Sequence, residues 1–271
     1  MDQVKSRLLD SIGNCDGLED LQQILIAELS NVSKAIHHEK ICQSSPKKLI
    51  IVHFNDVYNI ASRETEPVGG ASRFKTAINQ YRKGGSKYTE GIDPVILFSG
   101  DAFNPSTLSV VTRGNHMVHI LNSFGIDAAC YGNHDFDFGI EQLEENANAS
   151  NFPWLISNVV LKQDKKPLAK GLSKLVVEAS GGIKIGLMGL VEHAWLSTLS
   201  MVDEDDVIFE DFVSCGRRIA MELRNLDGVD IVIALTHMRI PNDTRLAKEA
   251  GDCIDIILGK LLISRKRCLL I

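Results

Sequence analysis

The chain has 271 residues, of which 44% are apolar and 24% charged, and its formal net charge is -6. This composition is typical of a globular protein with a sizeable core, and the acidic balance argues against a nucleic acid polymer as a partner. The six scattered cysteines contain no C-x-x-C pair, and no apolar run has the length of a signal peptide or a membrane span. The sequence therefore predicts a cytoplasmic protein in a reducing environment.

Residues 1–47 predict an N-terminal helical and polar extension. Apolar residues recur there at helical spacing, at Leu18, Leu21, Ile24, Leu25 and Leu29. The adjacent His37 and His38 do not share a helix face, so a solvated surface explains them better than a metal site does. We assign this extension no chemistry.

Several apolar runs after residue 47 predict strands that end in polar side chains. Run 48–54 leads into Asn55-Asp56, run 94–98 into Ser99-Gly100-Asp101, run 127–131 into Gly132-Asn133-His134-Asp135-Phe136-Asp137, and run 230–235 into Thr236-His237. Helices are expected between these runs, after residues 70, 114 and 139. Ligands of open α/β sheets bind at the carboxyl ends of the strands, so these polar residues are candidates for a site.

The rest of the chain completes the predicted sheets. The runs 173–179 and 183–190 flank Ser180-Gly181-Gly182 and predict a hairpin. A helix is predicted from near Asp211 to Leu226, and a last strand from Asp252 to Leu258.

The residue types at the strand ends indicate metal chemistry. Burying several oxygen and nitrogen ligands together is unfavourable unless a cation compensates for them, and carboxylate, amide and imidazole groups suit Mn, Fe or Zn. Asn133 offers an oxygen to a cation, His134 can donate a proton near neutral pH, and Asp137 can fix the tautomer of that imidazole. A polar turn without chemistry is the alternative interpretation of this cluster alone.

The ordered motifs Asn55-Asp56, Ser99-Gly100-Asp101, Gly132 to Asp137 and Leu235-Thr236-His237-Met238 resemble those of the calcineurin-like metallophosphoesterases. More narrowly, they resemble the catalytic domain of the 5′-nucleotidases. The resemblance covers residues 48–259. It implies an α/β fold, a four-layer α-β-β-α sandwich, with residues 260–271 as an atypical basic and apolar tail.

The resemblance also implies roles for individual residues. Asp56 would bind one divalent ion, Asp101 would bridge two, and Asn133 and His237 would bind the other; Mn, Zn, Fe or Mg are the expected ions. His134, oriented by Asp137, would stabilise the transition state or protonate the leaving group. Gly114-Asn115-His116 looks similar to the Gly-Asn-His motif, but it starts a predicted helix and receives no role.

Two departures from the family pattern stand out. Tyr58 occupies the histidine position of the family's Asp-x-His motif, so the first metal would lose a nitrogen ligand. The family's Gly-His-x-His motif does not follow Gly259, which predicts a sandwich that is incomplete at its C-terminal end. We interpret residues 260–271 as the read-through of a splice donor or as a misassigned exon. Alternatively, Cys268 begins a C-a-a-X prenylation motif after the basic residues 265–267, and only then would a membrane be a partner.

The sequence is compatible with two functions. The first is a metal-dependent phosphoric monoester hydrolase that resembles 5′-nucleotidases, cleaves small-molecule phosphate esters such as nucleotides, and uses hydroxide as the nucleophile. The second is a catalytically impaired homologue that acts as a binding module. The chain has no nucleophile elbow of the covalent hydrolases, and its first strand lacks the G-x-G-x-x-G motif of dinucleotide-binding domains.

Overall fold

The computed structural model describes residues 47–66, 68–82, 85, 92–199 and 202–259. The helix predicted within residues 1–46 and the tail 260–271, including Cys268, lie outside the described residues. Within the described part, no helix combines the length and the apolar character needed to cross a membrane.

The first half of the described chain builds a parallel sheet with the order β1-β2-β3-β4. Its elements in chain order are β1 (Ile51–Phe54), α1 (Ala71–Tyr81), β2 (Val95–Phe98), α2 (Thr107–Thr112), α3 (Asn115–Phe124), β3 (Ala128–Cys130), a 3₁₀ turn (Asn133–Phe136), α4 (Ile140–Ala149) and β4 (Trp154–Leu155). The strands predicted over 48–54, 94–98 and 127–131 are thus confirmed, with shorter ladders than the apolar runs.

The second half builds a second sheet. Its elements are β5 (Val159–Leu161), β6 (Leu175–Ala179), β7 (Ile183–Val191), α5 (His193–Leu196), β8 (Val207–Phe209), α6 (Phe212–Asn225), β9 (Ile231–His237), α7 (Ile240–Ala250) and β10 (Ile256–Leu258). The sheet has the order β10-β9-β7-β6, in which only the β6–β7 hairpin is antiparallel. Strands β5 and β8 form a separate two-stranded antiparallel ribbon.

Alternate side chains of each strand face different layers, which makes the fold a four-layer sandwich. In β2, Ile96 and Phe98 join a core that includes residues of α1, α3 and α4, while Leu97 belongs to the core between the sheets. In β9, Ala234 packs with residues of α6 and α7, and Leu235 faces the first sheet. This arrangement confirms the predicted α-β-β-α architecture.

Local sequence explains several element boundaries. Helix α6 starts after Asp211, whose Oδ1 accepts the backbone N–H groups of Val213 at 3.1 Å and Ser214 at 3.4 Å. The hairpin between β6 and β7 turns at Gly181 and Gly182, both with positive φ, as the Ser-Gly-Gly sequence predicts.

The last strand differs from its prediction. The sequence predicted a strand from Asp252 to Leu258, but β10 begins only at Ile256. Residues 251–253 form a turn after α7. Asp255, just before β10, bonds to Val232 of β9 twice: its backbone N–H donates to the Val232 carbonyl at 3.0 Å, and its carboxylate accepts the Val232 N–H at 2.7 Å.

Candidate metal centre and catalytic residues

The polar turns that follow β1, β2, β3 and β9 meet at one edge of the sandwich. The backbone N–H of Asp56 donates to the Gly100 carbonyl at 3.0 Å, and that of Val57 to the Asp101 carbonyl at 3.0 Å. Asp56 and Asp101 both adopt positive φ, 54° and 66°, a region that Asp tolerates better than most residues. Left-handed conformations outside glycine concentrate at functional sites.

Three side chains from these turns form a candidate metal-binding group. Ligand atoms of Asp56, Asp101 and His237 all lie within 4.8 Å of one another. In the part of the chain that the structure describes, no other group of three His, Cys, Asp or Glu side chains converges in this way. Asp101 is fully buried, and His237 is 3% exposed.

The hydrogen bonds of His237 fit a cation at this group. Its Nδ1 lies 2.6 Å from the Ser99 carbonyl oxygen, which can only accept, so Nδ1 carries the proton. Nε2 faces Asp101 Oδ2, 3.1 Å away: without a metal it can hold a second proton and donate it to that carboxylate, and in the neutral ring it presents a lone pair there. Two electron-rich atoms facing each other in a buried position are stabilised by a cation that both can bind, and imidazole with carboxylates suits a divalent transition metal.

Tyr58 adds a phenol to the same group. Its hydroxyl lies 2.5 Å from Asp56 Oδ1 and 2.8 Å from Asp101 Oδ2. Burial and the two carboxylates raise the pKa of Tyr58 well above its usual range. Burial opposes ionisation of Asp101, but the hydrogen bonds from His237, Tyr58 and the backbone of His134 outweigh it and hold the pKa of Asp101 below its usual range.

Asp135 connects the turn that follows β2 with the turn that follows β3. Its Oδ1 accepts the backbone N–H groups of Ala102 and Phe103 at 2.8 and 3.2 Å. Its Oδ2 accepts those of Asp101 and Gly132 at 3.0 and 2.8 Å. Burial and the charge of Asp101 raise the pKa of Asp135 to about 6, so the side chain is still ionised above neutral pH. The sequence assigned Asp135 no role, and only its contacts reveal this one.

A second functional group lies beside the first. His134 Nδ1 is 2.8 Å from Asp137 Oδ2, and the backbone N–H of His134 donates to Asp101 Oδ1 at 2.9 Å. The His134 side chain is 38% exposed, so it is accessible to a substrate. The amide of Asn104 donates to the same oxygen of Asp137, at 2.6 Å. No motif in the sequence pointed to Asn104.

The structure thus gathers most of the predicted site residues at one edge. Asp56, Asp101 and His237 form the candidate metal-binding group, and His134 contacts Asp137. Asn133 is half-buried at the start of the 3₁₀ turn, next to His134; its metal contact stays a prediction. Residues Gly114-Asn115-His116 begin α3, as the sequence predicted.

Comparisons with known proteins place this site in a family. The model of the calcineurin-like phosphoesterase family matches residues 49–259. Among curated proteins, an apyrase of Tabanus yao is 28% identical over 222 residues, which are 78% of this chain and 38% of that protein. The 5′-nucleotidase of Bos taurus is 28% identical over 233 residues, which are 79% of this chain and 38% of that protein. The chain therefore spans less than two fifths of these relatives.

Solved structures agree on the fold. The NAD nucleotidase of Haemophilus influenzae has a TM-score of 0.66 and 23% identity, and the match covers 79% of this chain and 42% of that one. A 5′-nucleotidase precursor from Thermus thermophilus has a TM-score of 0.65 and 22% identity, with 78% and 41% covered. With the family match over residues 49–259, these similarities show that the chain belongs to the calcineurin-like phosphoesterase family.

Proposed function

We propose that this chain is a metal-dependent phosphoric monoester hydrolase that acts on nucleotides or related small phosphate esters. The observation that carries the proposal is the convergence of Asp56, Asp101 and His237 next to the His134–Asp137 pair. The similarity to 5′-nucleotidases and apyrases supports the choice of substrate class.

Asp56 would hold one divalent ion, Asp101 would be shared by two, and His237 and Asn133 would hold the other. When bound, such ions polarise a phosphoryl oxygen and activate water for attack at neutral pH. The proposal includes a second divalent ion, and Mn, Zn, Fe or Mg are the expected ions. A cytoplasmic location likewise stays a prediction.

His134 would act on the leaving group. Asp137 accepts a hydrogen bond from Nδ1 of His134 and so fixes the proton of the neutral ring on that atom. The partly exposed ring can then carry a second proton on Nε2 and pass it to the departing oxygen. Asn104 holds Asp137 in place and thereby limits the orientations of the His134 ring.

The test is phosphate release from AMP and from p-nitrophenyl phosphate, with Mn²⁺ or Zn²⁺ supplied and with metal removed by a chelator. We expect turnover of both substrates that needs the metal, and for AMP a fall of at least about a hundredfold in His134→Ala, the usual contribution of a general acid. The matched control is His119→Ala, an exposed histidine of α3, which should keep wild-type turnover.

Metal content measured on the same samples separates the possible outcomes. His134→Ala should bind as much metal as the wild type, because His134 contributes only its backbone N–H to Asp101. A folded wild type that binds metal but releases no phosphate would contradict the hydrolase and favour the binding module.

A further inference from the structure

Two charged residues outside the metal group lie at the same edge of the sandwich. In the register of β7 and β9, Val191 pairs with His237, so Glu192 is the next residue after that pair. Arg239 follows His237 by two residues, so their Cα atoms are at most about 7 Å apart. Both residues therefore closely follow strand ends at the edge that carries the candidate metal centre.

Glu192 is buried and uses both oxygens. Its side chain is only 11% exposed, and Oε1 accepts from Arg239 Nε at 2.7 Å. Oε2 accepts from the Arg239 backbone N–H at 3.3 Å and from the side-chain amide of Asn242. Three donors thus compensate for the negative charge of Glu192, which also caps the start of α7.

The guanidinium of Arg239 is held at Nε, while its terminal amino groups remain available to a ligand. Its side chain is 69% exposed, although Nε is tied to Glu192. Among the described residues, its two terminal amino groups have no hydrogen-bond or ion-pair partner. A guanidinium held in this way is a preorganised donor fork for phosphate or carboxylate. The bond of Glu192 to the backbone N–H at the start of α7 needs no arginine at position 239, and its bond to the Asn242 side chain needs none either.

The negative charges around the metal group indicate a role for the guanidinium of Arg239. Asp56, Asp101, Asp135 and Asp137 surround the centre, so a substrate with a second anionic group would meet repulsion from them. A fixed cation at the rim offsets that repulsion. We infer that Arg239, positioned by Glu192, binds a second anionic group of the substrate, so the site favours phosphate esters that carry a further phosphate or carboxylate. This inference rests on the proposed function, because it concerns the substrate of the same site.

The test uses phosphonates, which are not hydrolysed, on the full chain loaded with Mn²⁺. Calorimetry compares methylphosphonate with methylenediphosphonate, which adds a second phosphonate, and with phosphonoacetate, which adds a carboxylate. We expect the second group to increase the affinity of the wild type, and Arg239→Gln to reduce that gain about tenfold or more, as for the loss of a charge-assisted hydrogen bond. Comparing variants cancels the extra metal chelation by these compounds.

Two further variants sharpen the comparison. Arg245→Gln removes the same charge from the same helix, but Arg245 pairs with Asp211 and Glu249, so the gain should stay at the wild-type value. Arg239→Lys keeps the charge without the fork and should give an intermediate gain.

The outcomes are distinct. A gain that falls in Arg239→Gln for methylenediphosphonate supports a phosphate subsite, and one that falls for phosphonoacetate supports a carboxylate subsite. An equal gain in Arg239→Gln and the wild type overturns the subsite, while hydrolysis of p-nitrophenyl phosphate by the same preparation leaves the proposed function standing. If the wild type neither binds methylphosphonate nor hydrolyses the ester, the proposed function fails and the subsite fails with it.

Discussion

Single side chains at the candidate site depend on neighbours that hold them in place. Asp101 receives hydrogen bonds from the phenol of Tyr58 and from the backbone of His134, and Asp137 receives one from Asn104. These contacts fix the geometry before a ligand arrives, and preorganisation of this kind reduces the free energy lost when a site binds.

Asp135→Asn should destabilise the protein by at least about 2 kcal/mol at pH 8. The variant places an amide group opposite two backbone N–H groups, and each buried donor left without an acceptor costs about 1–3 kcal/mol. Denaturant unfolding in the presence of a chelator measures this change without a contribution from metal. Asp205→Asn, in an exposed turn, is the control and should leave the unfolding midpoint near that of the wild type. Equal midpoints for the two variants would show that Asp135 does not hold the turns together.

Asn104→Ala should lower kcat about tenfold with little change in KM, because it frees Asp137 while leaving the metal ligands in place. The loss should be larger for AMP than for p-nitrophenyl phosphate, since a poor leaving group depends more on a proton from His134. Steady-state kinetics on both substrates check this. An equal loss for both would indicate a general structural effect in place of a positioning role.

At the scale of elements, the turns after β2 and β3 can approach each other only because of their glycines. A Cβ at Gly132 would lie 2.5 Å from the backbone nitrogen of Asp101, and one at Gly100, where φ is +81°, would lie within 2.8 Å of the Gly132 backbone. The turns therefore pack backbone against backbone, and this contact places Asp101 next to the His134 N–H.

Gly132→Ala should weaken Mn²⁺ binding at least about tenfold, or 1.4 kcal/mol, because the new methyl group displaces Asp101. Equilibrium dialysis or calorimetry measures the affinity. Gly181→Ala provides the comparison: its Cβ would meet nothing within 4 Å, so its strained positive φ should reduce stability by about 1 kcal/mol without changing Mn²⁺ affinity. If Gly132→Ala binds Mn²⁺ as tightly as the wild type, the close approach of Gly132 to Asp101 does not position a metal ligand.

At the scale of the whole molecule, Ser99 connects the two sheets. Its hydroxyl lies 2.8 Å from His53 Nε2 in β1 and donates to the Leu258 carbonyl in β10 at 2.9 Å. Its own carbonyl accepts from His237 at the end of β9. One buried serine of the first sheet thus binds two strands of the second.

This connection predicts a loss of stability in mild acid. Burial lowers the pKa of His53 to about 4, so the ring stays neutral in the folded protein at pH values where it is protonated in the unfolded chain, below about 6.5. A depressed histidine pKa favours folding above 6.5, and this contribution is lost as the pH falls towards 4. Between pH 7 and pH 5 the wild type should lose up to about 2 kcal/mol of unfolding free energy through His53.

Denaturant unfolding at both pH values, for the wild type and His53→Gln, measures this contribution. The glutamine keeps an N–H donor for Ser99 but does not titrate, so the variant should lose less stability than the wild type between pH 7 and 5. Equal losses would show that His53 does not titrate differently in the two states.

The amino-acid sequence by itself determined the strands that lead into the candidate site and the residue types at their ends, but it missed the short strands β4, β5 and β8 and the helices α2 and α7. Runs of β-branched and apolar residues predicted the strands, and the polar turns that follow them predicted Asp56, Asp101, His134 and His237 as site residues, because local periodicity and turn chemistry act over a few residues. The resemblance to a known family supplied the layer order.

Tertiary structure decided which of these side chains meet. Asp101 and His237 come from different sheets, so their contact depends on how the two sheets pack. The roles of Asp135 and Asn104, and the pairing of Glu192 with Arg239, likewise come from contacts between residues distant in the chain. The local sequence pattern does not reveal such contacts, because neither partner differs from the polar residues found in other turns. Only the packing of the fold brings the two partners together.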